Sequence, residues 1–220
     1  MLIAGVDEAG RGCVIGPLVV AGVLMEEKNL SKLRELGVKD SKLLTAKKRE
    51  ALVPDILRLS KKHVVVKVSP QEIDRWVRSQ RKLHKLNRLE AETMAQVVTE
   101  LEPDIAYIDA ADVLAKRFGQ HVADASIYKT HIISEHKADR NYPVVSAASI
   151  VAKVERDGAV SALRSEFGDF GTGYLADGRT TAFLKQWLRE HEDYPDWVRK
   201  SWKPAKEAKA QQGTEQQKLF

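Results

Sequence analysis

Short apolar runs rich in β-formers alternate with longer stretches of helical spacing, and this alternation restricts the chain to a sheet flanked by helices. Residues 2–6 (LIAGV) and 17–25 (PLVVAGVLM) are bounded by glycine and read as strands. Further strands are expected at 63–68 (HVVVKV), 105–109 (IAYID) and 126–136 (SIYKTHIISEH). A short helix should stop at Gly37, and Thr45 should cap a helix that carries Leu52, Ile56 and Leu59. Helices are also expected after Pro70, near Leu83 (with Leu86, Met94, Val97, Val98 and Leu101 on one face), at 113–122, at 144–167 and at 180–191. Two early strands with a short connection, then strands alternating with helices, give an α/β fold: a mixed β-sheet with helices packed on it. Residues 203–220 read as a frayed helix and a mobile tail.

The chain of 220 residues is long enough to bury a continuous core. Lys and Arg outnumber Asp and Glu by 36 to 31, a net charge of +5 that suits a polyanionic partner. The lone Cys13 excludes an internal disulfide, fits a reducing compartment and reads as a small packing residue. Asp7 and Glu8 interrupt any early apolar run, so no secretory signal is expected. The longest apolar stretch has nine residues, against about 20 for a membrane span. A cytoplasmic location and no membrane partner follow as expectations.

Asp7 and Glu8 stand side by side directly after an apolar strand, where adjacent carboxylates repel each other. Asp109 ends the run IAYID, and Asp139 follows the strand and turn IISEHKAD. Acids beyond the ends of neighbouring strands in an α/β sheet meet at one edge, where ligand sites lie. Side chains alternate along a strand, so Asp7 and Glu8 share one site only if the strand ends or bulges between them; Gly10 and Gly12 suggest such a break. Converging carboxylates raise one another's pKa, and a hard divalent cation with oxygen ligands removes that conflict. No Cys pair or close His cluster points to zinc. Each acid taken singly also reads as a solvated strand end or helix cap, and spacing alone leaves both readings open.

At these residues the sequence resembles ribonuclease H type 2 (ribonuclease HII) in its archaeal single-chain form. GVDEAGRGCVIGPLVVAGV, VKDSKLL (38–44), YIDAADV (107–113), EHKADRNYPVVSAASIVAKVERD (135–157), FGDFGTGY (167–174) and VRKSWK (198–203) follow in the family's order and cover residues 1–203. The resemblance implies a ribonuclease H-like fold, with a catalytic domain at 1–178, a helical substrate-binding extension at 179–203 and a mobile tail at 204–220. It implies an endoribonuclease that cuts on the 5′ side of ribonucleotides in RNA/DNA hybrids and of single ribonucleotides in duplex DNA. The products carry a 5′-phosphate and a 3′-hydroxyl, and the implied roles are ribonucleotide excision repair and RNA primer removal. The implied metal ligands are Asp7, Glu8, Asp109 and Asp139. They would hold two ions of Mg²⁺ or Mn²⁺, about 3.5–4 Å apart in sites of this kind. Glu8, and Asp109 in preference to Asp112, rest on the resemblance; Asp112 itself reads as the N-cap of the following helix.

An enzyme that cuts only beside a ribonucleotide must sense the 2′-hydroxyl. The resemblance gives that role to Gly10, Arg11 and Gly12 together with Tyr174; from residue types alone the triplet is a plain turn and Tyr174 a core aromatic. The chain reads GTGYLADG where the family has two prolines, which implies a less rigid loop at 175–178. Lys42 and Lys153 lie inside matching blocks and are the candidate phosphate contacts, fixing position rather than sequence. Residues 75–88 carry six Lys or Arg and no acid, with Arg75, Arg78, Lys82 and Lys85 spaced as one helical face, by default a solvated one. In the ending EQQKLF, Gln216, Leu219 and Phe220 fit the first half of the sliding-clamp peptide of archaeal relatives. The expected protein is a monomer. The competing readings are a catalytically silent nucleic-acid-binding module and a metal-dependent phosphatase.

Overall fold

A computed structural model describes residues 1–38, 43–80 and 85–217, with side chains through residue 210. The chain divides into two compact units. The first comprises Met1–Ala9, Val19–Lys67 and Lys82–Glu155, and the second Gly10–Leu18, Val68–Arg81 and Arg156–Phe220.

The first unit is built on a five-stranded sheet of order β3-β2-β1-β4-β5. Its strands are β1 (Leu2–Ala9), β2 (Leu18–Glu26), β3 (Lys62–Val68), β4 (Ile105–Asp109) and β5 (His131–Glu135). β1 pairs antiparallel with β2 and parallel with β4, and β4 pairs parallel with β5. The mixed sheet expected from the sequence is therefore present. Helices α1 (Leu30–Glu35), α2 (Ala46–Leu59), α4 (Lys85–Leu101), α5 (Ala115–Ala125) and α6 (Ala138–Asn141) belong to this unit, as does the first half of α7 (Pro143–Phe167). α3 (Pro70–Arg78) belongs to the second. Thr45 caps α2 as its side chain accepts the Lys48 N–H at 3.2 Å.

Strand alternation sorts two apolar cores. Ile3, Ala9, Val19, Ala21 and Val23 join Leu52, Ile56 and the α7 residues Val144 to Ala152. Ala4, Val6, Val20, Ala106 and Ile108 join α4 and α5 residues such as Met94, Val98 and Phe118. Gly5 in β1 is dictated by packing, since a Cβ there would collide with the Val144 backbone and only glycine lets α7 close on the strand.

Several elements differ from expectation. β5 begins only at His131, because Ser126 instead ends α5 and Lys129 donates to the Ala123 and Ser126 carbonyls there. The four-residue α6 is too short to show a helical period. The basic run forms no single helical face: α3 stops at Arg78 with Ser79 extended, and α4 starts at Lys85. Leu83 and Lys82 lie outside the described residues.

In the second unit, α8 (Gly178–Glu190) packs with Val14, Ile15, Val160, Phe170, Tyr194 and Val198. Phe167, Phe183, Trp187 and Trp197 add an aromatic cluster, with ring centroids 4.8 Å apart for Phe167 and Trp197. α9 (Lys203–Gln217) extends over most of the stretch read as a tail, and it buries Ala205 against this core.

Candidate functional site

β1, β4 and β5 run parallel, so their C-terminal ends share one edge of the sheet. The register Val6↔Ile108 puts Asp7 opposite Asp109 one step on, and Asp109 pairs with Glu135. Both aspartates have the strand parity of Ile3 and Tyr107, the face that α7 covers. The turn after β5 brings Asp139 in from the first turn of α6. Asp7, Asp109 and Asp139 each offer a carboxylate oxygen within 4.8 Å of the others.

Hydrogen bonds fix these acids. The Asp7 carboxylate accepts from the Glu8 N–H at 2.7 Å and bonds the Ser149 side chain on α7. Asp109 Oδ1 accepts the Ala138 N–H at 3.1 Å, tying the end of β4 to α6. The Ser146 hydroxyl donates to the Asp139 carbonyl. Burial pushes the Asp7 carboxyl well above its ordinary value, and the charges of Glu8 and Asp109 push it further. Such a cluster is uncomfortable alone, and oxygen donors of this kind fit a hard divalent cation.

Glu8, the remaining acid of the expected four, falls outside this group of three but acts on Asp7. Regular pairing runs through Asp7↔Ala21, Glu8↔Val20 and Ala9↔Val19, so the break expected after Asp7 is not there. Glu8 takes the opposite strand parity and reaches Asp7 through its charge. Asp112 does not cap α5 either, since the N-cap is Leu114. Its Oδ1 accepts the Leu114 N–H at 3.0 Å and pairs with Arg117 at 2.5 Å. Burial opposes ionisation of Asp112, but these hydrogen bonds outweigh it and hold the carboxyl well below the usual range. Lys153 is half-buried on α7, one turn beyond Ser149 and on the same helix face. Lys42, Leu219 and Phe220 lie outside the described residues, as does the side chain of Gln216.

The second unit contains Gly10, Arg11, Gly12 and Tyr174. Gly10 has φ +85, and a Cβ there would lie 2.6 Å from the Pro17 carbonyl oxygen, so glycine is required. The Arg156 guanidinium lies 4.6 Å from the Tyr174 ring centroid while Nη2 donates to the Thr172 carbonyl at 2.7 Å. Where the prolines are missing, Asp177 ties the loop together. Its carboxylate accepts the N–H of Thr172 at 2.9 Å and of Arg179 at 3.1 Å. The Gly173 carbonyl receives the N–H groups of Val14 and Ile15. Beneath the glycine loop, the buried Arg199 donates to the carbonyls of Gly10, Arg11 and Gly16.

The family model for ribonuclease HII matches residues 4–205. The chain belongs to the ribonuclease HII family. A ribonuclease HII of Thermococcus onnurineus is 44% identical over 99% of this chain and 94% of that protein. The ribonuclease H2 crystal structure from Pyrococcus horikoshii OT3 superposes with TM-score 0.89 at 41% identity, covering 97% of this chain and 99% of that one. A PCNA:RNase HII complex from Archaeoglobus fulgidus gives 0.84 at 42% identity, covering 94% and 96%. The fold is ribonuclease H-like, and the chain is a metal-dependent endoribonuclease of the RNase H type. Among the described residues no helix is long and apolar enough to cross a membrane.

Sequence reasoning overlooked Ser149, Arg199, Arg156 and Asp177. Gly5 carried a readable signal, because a glycine inside a strand marks a close backbone approach. Arg199 carried none, as it meets Arg11 from 188 residues away.

Proposed function

We propose that the chain hydrolyses the phosphodiester on the 5′ side of ribonucleotides, both in RNA/DNA hybrids and singly embedded in duplex DNA, leaving a 5′-phosphate and a 3′-hydroxyl. The observation that carries this reading is the three-carboxylate cluster of Asp7, Asp109 and Asp139, whose oxygens fall within 4.8 Å of one another. When bound, two divalent cations, Mg²⁺ or Mn²⁺, supply an activated water and neutralise charge at the leaving 3′ oxygen. Asp7, Asp109 and Asp139 would hold them, with Glu8, next to Asp7 in the chain, as the fourth acid. Ser149 and the Ala138 N–H stop the Asp7 and Asp109 carboxylates from rotating, so the donors are preorganised.

Gly10, Arg11, Gly12 and Tyr174 sense the 2′-hydroxyl, the group that separates RNA from DNA. The triplet follows Glu8 along the chain after the single residue Ala9. Lys42 and Lys153 contact backbone phosphates, and residues 179–203 add substrate-binding surface. Binding therefore weakens steeply with salt. The cellular roles are ribonucleotide excision and RNA primer removal in the cytoplasm, by a monomer. The Archaeoglobus fulgidus relative in complex with PCNA supports a clamp contact through Gln216, Leu219 and Phe220.

The test is a DNA duplex carrying one ribonucleotide, incubated with Mg²⁺ and then with chelator. A metal-dependent cut 5′ to the ribonucleotide is expected. Salt-sensitive binding without cleavage would replace this reading with a silent nucleic-acid-binding module.

A further inference from the structure

Arg199 is 0% exposed and the largest fully buried side chain among the described residues. Its guanidinium addresses one loop. Nη2 donates to the Gly10 carbonyl at 2.6 Å and Nη1 to the Arg11 carbonyl at 2.7 Å. Nε and Nη2 both reach the Gly16 carbonyl at 3.2 Å, and Nη2 lies 3.0 Å from Cys13 Sγ. Filling a core needs no such group, because an apolar side chain of similar volume avoids the cost of desolvating a cation. A planar fork of fixed donors, however, suits two successive carbonyls as no other side chain does.

Peptide geometry gives the consequence. The links after Gly10 and Arg11 are trans, and in a planar trans peptide the N–H points opposite to the C=O. With the carbonyls of Gly10 and Arg11 drawn toward Arg199, the amides of Arg11 and Gly12 face away from it. A Cβ built on Gly12 would meet only Tyr174 Cε1, at 3.9 Å, so this part of the loop runs beside the tyrosine ring.

The arginine is itself anchored. Its backbone N–H donates to the Val14 carbonyl at 2.8 Å, and Ile15 bridges to Val198 next door. The buried Asp74 on α3 accepts the following two amides, Lys200 at 2.8 Å and Ser201 at 3.0 Å. The guanidinium carbon lies 5.0 Å from the Trp202 ring centroid.

We propose that Arg199 is a positioning residue for ribose recognition: by turning the Gly10 and Arg11 carbonyls inward, it presents the amides of Arg11 and Gly12 beside Tyr174 as donors to the 2′-hydroxyl oxygen. This rests on the ribose reading of the Gly10–Gly12 triplet. A hydrogen atom at the 2′ position offers those amides no acceptor, so the discrimination is lost when they turn away.

Arg199→Lys and Arg199→Met in the full chain test the proposal, with Leu163→Ala as a destabilised control packed on the same core and outside the substrate-binding segment. Thermal unfolding sets a temperature at which every variant is folded, and the Mn²⁺-induced rise in Tm shows that the acid cluster is intact. Cleavage is then measured at a single ribonucleotide and at the matching 2′-fluoro nucleotide in the same duplex. For Arg199→Lys, kcat at the ribonucleotide should fall on the order of 100-fold, the scale of an ångström-level misplacement. KM should change by less than about threefold, since phosphate contacts remain. The preference over the 2′-fluoro nucleotide should collapse, the Mn²⁺ shift should persist, and Leu163→Ala should keep the wild-type preference. If Arg199→Met does not fold, Arg199→Lys decides. Unchanged kcat and preference in folded Arg199→Lys would overturn the positioning role while leaving the ribose reading intact; equal losses in Leu163→Ala would reduce Arg199 to core structure. A wild-type chain indifferent to the 2′ group would instead overturn the ribose reading, and this proposal with it.

Discussion

The acid cluster of the first unit and the glycine loop of the second treat buried charge in opposite ways. Asp7, Asp109 and Asp139 face one another, and burial together with neighbouring charge drives Asp7 toward its protonated form. Arg199 is buried at least as deeply, yet carbonyls of the loop surround its guanidinium. The first arrangement is incomplete without a cation, and the second is complete in the polypeptide itself. Substitutions should therefore trade stability against activity in the cluster, and lose both together in the loop.

Asp7→Asn offers the largest effect. It should abolish cleavage by more than the ~10–100-fold that loss of a ligand's outer partner costs, and also raise the Tm of the metal-free protein. A folded-state pKa above the ordinary carboxylate value means the folded chain holds that proton more tightly than the unfolded chain does. Stability in chelator should then decline as pH rises above the ordinary Asp range, and the neutral amide escapes this decline. Unfolding curves from acid to neutral pH would show it, and a metal-free Asp7→Asn chain less stable than wild type would break the contrast.

Cation addition comes next. A divalent ion at 100 times its Kd should stabilise the wild type by about 2.7 kcal/mol, and the shift should vanish in Asp7→Asn. The loop should behave differently under Gly10→Ala. The left-handed backbone alone costs about 1–2 kcal/mol, and the contact with the Pro17 carbonyl adds to it. Tm and cleavage should fall together, with the cation shift retained; a Tm unchanged by the methyl would blur the distinction.

The smallest effect belongs to Asp193, whose carboxylate meets Lys209 at 2.5 Å and Lys200 at 2.9 Å. The Lys209 hydrogen bond, with help from Lys200, lowers its pKa to about 2. The pairs stabilise the fold above the ordinary Asp range, and that contribution disappears as pH falls toward 2. The Asp193 and Lys209 side chains are about half exposed, so Asp193→Asn should cost less than about 1 kcal/mol. Acid titration of Tm in wild type and variant measures it.

The cluster was legible in the sequence because parallel strands leave a simple trace. Apolar runs that end in Asp109 or lead to Asp139 place acids at one sheet edge whatever the helices do. The face of Glu8 was harder, since two glycines suggested a break that the regular β1–β2 pairing overrides. Asp112 looked like a cap by position, yet its partners are Leu114 and Arg117. The basic run kept helical spacing through a point where Ser79 turns extended. Contacts between distant segments, such as Asp74 with Lys200 or Arg199 with Gly10, leave no local pattern to read.

Calorimetric titration of the metal-free chain with Mn²⁺, in parallel with Asp7→Asn, addresses the carboxylate cluster most directly. Saturable binding by the wild type, lost in the variant, is the expected result. Binding that survives Asp7→Asn unchanged, or none in either protein, would contradict a metal centre built from Asp7, Asp109 and Asp139.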